Sequence, residues 1–164
     1  MKTSLSHTSA RNIYIHIPYC SKKCSYCAFY SSSEDIDSLS RYVDALILEI
    51  EGGLPVSGEP LETIYFGGGT PSLLTPGQVK RILGALAVTA GTDAEITLEA
   101  NPDSLTASSL EGYLDAGVNR VSLGVQSFSD ADLGLLGRVH DSARALEAIN
   151  ILSSTGCRLS IDLI

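Results

Sequence analysis

The sequence predicts an α/β fold in which parallel strands are covered by outer helices, and three observations carry that prediction. Short runs of β character recur five times between residues 13 and 164. Longer segments with apolar residues at helical spacing separate them, which suits the crossovers that parallel strands require. Hydrophobic residues make up 44% of the 164 positions, enough for a sizeable core, and no low-complexity linker or close repeat interrupts the alternation.

The strands are IYIHI (13–17), TIYFG (63–67), EITLEA (95–100), RVSLGVQ (120–126) and RLSIDLI (158–164). Each is short and mostly β-branched or aromatic. Leu39, Tyr42, Val43, Leu46, Ile47 and Ile50 fall on one helical face, and Val79, Ile82, Leu83 and Leu86 on another. The second helix has the most secure start, because Thr75 caps it, Pro76 fits the first helical position and Gln78 completes a capping box. Further helices are expected over 107–116, ending at Gly117, and 142–155, ending at Gly156, each glycine suiting a left-handed cap. A short helical piece, SDADLGLLG, precedes the last of them. This alternation fits an open doubly wound sheet or a barrel wall, and periodicity leaves both open. The fifth strand reaches the last residue, so the sheet is expected to be cut short after about five strands.

Acidic residues outnumber basic ones 19 to 11, a net charge of −8 that repels a phosphate backbone; nucleic acid is not an expected partner. MKTSLSHTSARN contains no apolar core of an export signal, and no run of about 18 apolar residues occurs. The expected compartment is the cytoplasm, where thiols stay reduced.

Three of the four cysteines, Cys20, Cys24 and Cys27, lie in YIHIPYCSKKCSYCAFY (14–30). An odd number at this spacing, in a reducing compartment, argues against disulfides. A zinc site needs four ligands, and the fourth would be the distant Cys157 or His16. Three thiolates suit a 4Fe–4S cluster that leaves one iron without a protein ligand and therefore open to a cofactor. Tyr19, Tyr26, Phe29 and Tyr30 can shield such a cluster, and Lys22 and Lys23 can offset its charge. Cys157, at the start of the fifth strand, reads as a small core hydrophobe.

YFGGGTPS (65–72) places three glycines directly after the second strand, where backbone can approach a ligand closely, but it lacks the ending of a phosphate loop. His16, Glu99, Gln126 and Asp162 are polar residues within or at the ends of four strands, and C-terminal strand ends form the active face of β/α architectures. Their arrival together suggests one shared polar ligand. Arg138, beyond the fourth strand, suits a carboxylate such as that of a bound amino acid.

The C-x3-C-x2-C spacing after a first strand, with Tyr26 before the last cysteine, resembles the radical S-adenosylmethionine (SAM) superfamily. IYFGGGTPSLL, ITLEANPDSLT, GVNRVSLGVQSFSDADLGLLGRVH and LSIDLI extend the resemblance, in order, to its coproporphyrinogen oxidase and heme-chaperone branch across residues 13–164. The resemblance implies a partial (β/α) barrel, with residues 1–12 an N-terminal extension and 13–164 the N-terminal part of the core domain. By the same resemblance, the further barrel elements and C-terminal domain of that branch are expected to lie outside this chain.

It also implies that Cys20, Cys24 and Cys27 hold the cluster, and that Tyr14, Tyr26, Gly68, Gly69, Thr70, Glu99, Gln126, Arg138 and Asp162 line the SAM site. The oxygen-independent oxidases of the branch resemble one another in a further cysteine two positions after the last cluster cysteine; here that position is Phe29. The expectation is therefore a heme chaperone that binds heme and delivers it to an acceptor protein, with an electron donor as a further partner. The alternative is the oxidase, which decarboxylates coproporphyrinogen III. None of His7, His16 and His140 is assigned as a heme ligand.

Overall fold

The computed structural model describes residues 11–33, 36–53, 60–87 and 93–164, so most of the expected N-terminal extension, with His7, lies outside the described residues. The elements run β1 (Asn12–Ile17), α1 (Leu39–Glu51), β2 (Thr63–Gly68), α2 (Pro76–Ala85), β3 (Glu95–Ala100), α3 (Ala107–Ala116), β4 (Arg120–Gln126), α4 (Asp130–Leu136), α5 (Ser142–Ser153) and β5 (Arg158–Leu163). Among the described residues no helix is long and apolar enough to cross a membrane.

All strand pairs are parallel, and the strands lie side by side in chain order, β1-β2-β3-β4-β5. A doubly wound sheet reverses its order at a switch point, and this one never does. The structure is the wall of a partial barrel.

Strand alternation separates the two faces. Ile15, Ile64, Phe66, Ile96, Leu98 and Leu123 are buried on one face, against Val43 of α1, Ile82 of α2, Tyr113 of α3 and Ala148 of α5. Each such aliphatic or aromatic side chain contributes roughly 1.5–3 kcal/mol on burial. The alternate residues, among them Tyr65, Glu99, Ser122 and Asp162, form the other, polar face. The strands are thus half-polar, not buried on both sides as a central parallel sheet would be.

The helix boundaries follow their caps. Thr75 and Gln78 form both halves of the capping box on α2, and Thr106 and Ser109 repeat it on α3. α3 ends at Gly117 in the left-handed region, φ 115°, as the sequence predicts. α5 departs from expectation: it stops at Ser153, capped by Ser154 in right-handed geometry, and Gly156 (φ 73°) turns the chain two residues later. Carbonyls of Ile151 and Leu152 accept from the hydroxyls of Ser154 and Thr155, which ends the helix without a glycine. Cys157 packs partly buried against the core, and burial raises its thiol pKa.

Candidate functional site

A pocket of about 430 Å³ opens on the polar face at the C-terminal ends of β2 to β5, walled on one side by the cysteine loop. Cys20, Cys24 and Cys27 line it, together with Tyr26, Gly68, Gly69 and Thr70. Glu99, Gln126, Arg138 and Asp162 line it from β3, β4, the loop after α4 and β5. Two residues expected on this face stand apart. Tyr14 is 57% exposed and stacks on Tyr65 with ring centroids 6.0 Å apart, so Tyr65 occupies the lining instead. His16 turns to the cysteine loop, donating from Nε2 to the Tyr30 carbonyl (3.1 Å) and accepting at Nδ1 from the Tyr14 hydroxyl (3.2 Å).

The cysteine loop is tied down on three sides. The Cys20 amide donates to the Ser32 carbonyl (3.0 Å), and the Ser32 amide donates back to Pro18 (2.8 Å). The glycine segment crosses beneath it, Gly69 donating to Ile17 (2.8 Å) and Thr70 to Tyr19 (2.7 Å). On the far side the Ser25 hydroxyl donates to the carbonyls of Leu135 and Leu136 at the end of α4. A side chain at Gly69 would place its Cβ 2.4 Å from the Tyr19 carbonyl oxygen, so only glycine lets the two segments pass. Gly68 adopts φ +117°, and its amide donates to Glu99 Oε2 at 3.1 Å.

The polar groups are already organised. Glu99 Oε1 accepts from the Tyr65 hydroxyl at 2.8 Å; burial first, and this bond second, push the Tyr65 pKa well above its ordinary range. The Ser122 hydroxyl reaches both oxygens of Asp162. Burial also raises the pKa of Tyr26, against the opposing charge of Arg138. Arg138, expected to meet a carboxylate, donates from Nη2 to Asn101 Oδ1 (2.6 Å) and Gly124 O (2.8 Å), and from Nη1 to Cys24 Sγ (3.3 Å). Among the described residues its buried Nε has no hydrogen-bond partner.

Tyr65, Asn101, Ser122 and Gly124 also line the pocket and were not singled out in the sequence. Parity could have found two of them, since Ser122 and Gly124 share the face of Gln126, whereas Tyr65 meets its partner Glu99 only across the sheet. Asn101 follows β3 and carries no periodic signal.

The chemistry of the donors fits a polynuclear cluster. All three thiols are free, share one wall and lie beside Lys22, Lys23 and Arg138. Among the described residues no three His, Cys, Asp or Glu side chains gather tightly enough to bind a single metal ion. A four-iron cluster takes each thiolate on a different iron, so its ligands need not converge on one point.

The family model of the radical SAM superfamily matches residues 14–164. Radical S-adenosyl methionine domain-containing protein 1, mitochondrial, of Bos taurus is 44% identical over 143 residues, covering 84% of this chain and 32% of that protein. The heme chaperone HemW of Escherichia coli (strain K12) is 40% identical over 157 residues, covering 93% and 42% respectively. Among solved structures, coproporphyrinogen III oxidase (HemN) from Escherichia coli aligns with a TM-score of 0.84 at 30% identity, over 94% of this chain and 37% of that one. The chain spans less than half the length of each.

Proposed function

The chain belongs to the radical SAM superfamily, and from that premise we propose that its pocket holds a 4Fe–4S cluster and SAM in the service of heme delivery. The observation that carries this reading is the convergence of three free thiols and the polar strand ends of β3 to β5 on one pocket. In this reading Cys20, Cys24 and Cys27 would hold the cluster. Tyr26, Gly68, Gly69, Thr70, Glu99, Gln126, Arg138 and Asp162 surround SAM, and Tyr14 supports them from outside the lining through Tyr65. Bound together, cluster and SAM supply one-electron reductive cleavage of the sulfonium bond to a 5′-deoxyadenosyl radical.

The chain's own part is placement. Glu99 is oriented in advance by Tyr65 and the Gly68 amide, so it presents a fixed acceptor to a cationic group. Lys22, Lys23 and Arg138 offset the negative charge of cluster and thiolates. Phe29, 69% exposed at the pocket wall, stands where the oxidases of the branch carry a further cysteine.

Heme, an acceptor protein and an electron donor for the cluster would be the partners in this reading, and the reducing cytoplasm would be the compartment that keeps the thiols available. The likeness to the oxidase structure supports a second reading, coproporphyrinogen III decarboxylation. Residues 13–164 act here as the N-terminal part of a core domain, behind the short extension.

The test is anaerobic reconstitution. About four irons and four sulfides per chain are expected, with saturable SAM binding. Stoichiometric zinc with no iron would overturn the cluster assignment. Heme bound and passed to an apo-acceptor without porphyrinogen turnover supports the chaperone; protoporphyrinogen formation selects the oxidase.

A further inference from the structure

We infer that His140 is a positioning residue for the pocket: its buried imidazole holds the strained turn that directs Gln126 toward the ligand. This rests on the reading of the pocket as the SAM site. Gln126 ends β4 at φ 68°, a left-handed conformation that non-glycine residues seldom adopt. The Ser127 amide donates to the Val125 carbonyl at 2.9 Å, closing a three-residue γ-turn around Gln126. With positive φ at its centre, this is the rare and strained form of that turn. The pairing of β4 with β5 shifts register between Gly124 and Gln126 and resumes at Gln126, whose carbonyl accepts from the Ile164 amide at 3.0 Å, so the turn sits at an irregularity that the ladder holds from the β5 side.

The segment after α4 holds the turn from the other side. Arg138 donates to the Gly124 carbonyl at 2.8 Å, and His140 donates from Nε2 to the next carbonyl, Val125, at 3.1 Å. The acceptor that closes the γ-turn is thus also held by an imidazole with no exposed side-chain surface. A bond shielded from water keeps its geometry. On its other side Nδ1 stands 3.9 Å from Asp103 Oδ1 without a hydrogen-bond partner, so the Val125 carbonyl is the ring's one hydrogen bond among the described residues. Gln126 lines the pocket from this turn; His140 does not line it and acts through the backbone.

The test compares His140→Leu, which keeps an apolar side chain without a donor, with His140→Gln, whose amide nitrogen can stand in for Nε2. SAM dissociation constants are measured by equilibrium dialysis on anaerobically reconstituted protein, with iron content as the control. Hydrogen exchange of the Ser127 amide is followed in cofactor-free protein. H140L is expected to weaken SAM binding about tenfold at unchanged iron content and to speed Ser127 exchange, with H140Q restoring both. In a Gln126→Ala background H140L should add no further loss, because its effect passes through Gln126. Unchanged SAM binding in H140L, additive losses in the double variant, or an H140Q as impaired as H140L would overturn the inference. If H140L does not fold, H140Q against His140→Asn, whose amide is one methylene too short, decides between the same outcomes. A wild-type protein that takes up iron but binds no SAM defeats the pocket reading instead, and Ser127 exchange then still decides whether His140 holds the turn.

Discussion

Gly69 lies where the glycine segment passes under the cysteine loop, and its missing Cβ is what keeps the Tyr19 and Ile17 carbonyls within hydrogen-bonding reach of Thr70 and Gly69. Gly69→Ala should separate the two segments and lower iron uptake on reconstitution several-fold, measured per folded chain. Tyr113 is the buried counterpart behind the sheet: its hydroxyl donates to the Ser72 (3.0 Å) and Leu74 (2.6 Å) carbonyls, and burial raises its pKa from 10.0 to about 12. The folded chain keeps this proton after the unfolded chain has lost it. Stability from this group is therefore full below about pH 10 and falls as pH rises towards 12. Urea midpoints across that range should show the slope, and Tyr113→Phe should reduce it while costing about 1–3 kcal/mol at neutral pH through two unsatisfied carbonyls. The three clustered cysteines were legible as single residues because ligand spacing is local. Tyr65 was not, because its partner Glu99 lies 34 positions away and meets it only through strand register.

The capping box on α2 was readable from Thr75, Pro76 and Gln78 alone, since both of its hydrogen bonds close within four residues. Thr75→Ala should cost about 1 kcal/mol, seen as a lower denaturation midpoint with unchanged pocket chemistry. The end of α5 was misread because Gly156 offers a left-handed cap in sequence, whereas Ser154 and Thr155 satisfy the last carbonyls first. α4 joins the cysteine loop through a contact no local pattern announces, Ser25 donating to its two terminal carbonyls across 110 and 111 positions. Ser25→Ala should leave cluster assembly possible but speed iron release to a chelator, followed as loss of the visible absorbance. A wild-type release rate in that variant would mean that α4 does not anchor the loop.

For the molecule as a whole, a cluster held by the folded loop alone must stabilise the fold, because the unfolded chain cannot match its geometry. Stripping iron from reconstituted protein should lower its thermal midpoint, measured anaerobically by circular dichroism, and an unchanged midpoint would separate cluster binding from folding. By itself the sequence determined the number of strands, their alternation with helices, the clustering of three cysteines on one loop and the family resemblance, all of which depend on spacing within a few tens of residues. Only the tertiary structure decided between barrel wall and doubly wound sheet, because strand order is a long-range pairing that periodicity does not encode. It likewise removed Tyr14 and His16 from the pocket lining, brought in Tyr65, Asn101 and Ser122, and set Gln126 in a left-handed turn. Those placements come from parallel register and from side chains such as Arg138 and His140 reaching carbonyls on another element, and neither exists until the sheet has formed.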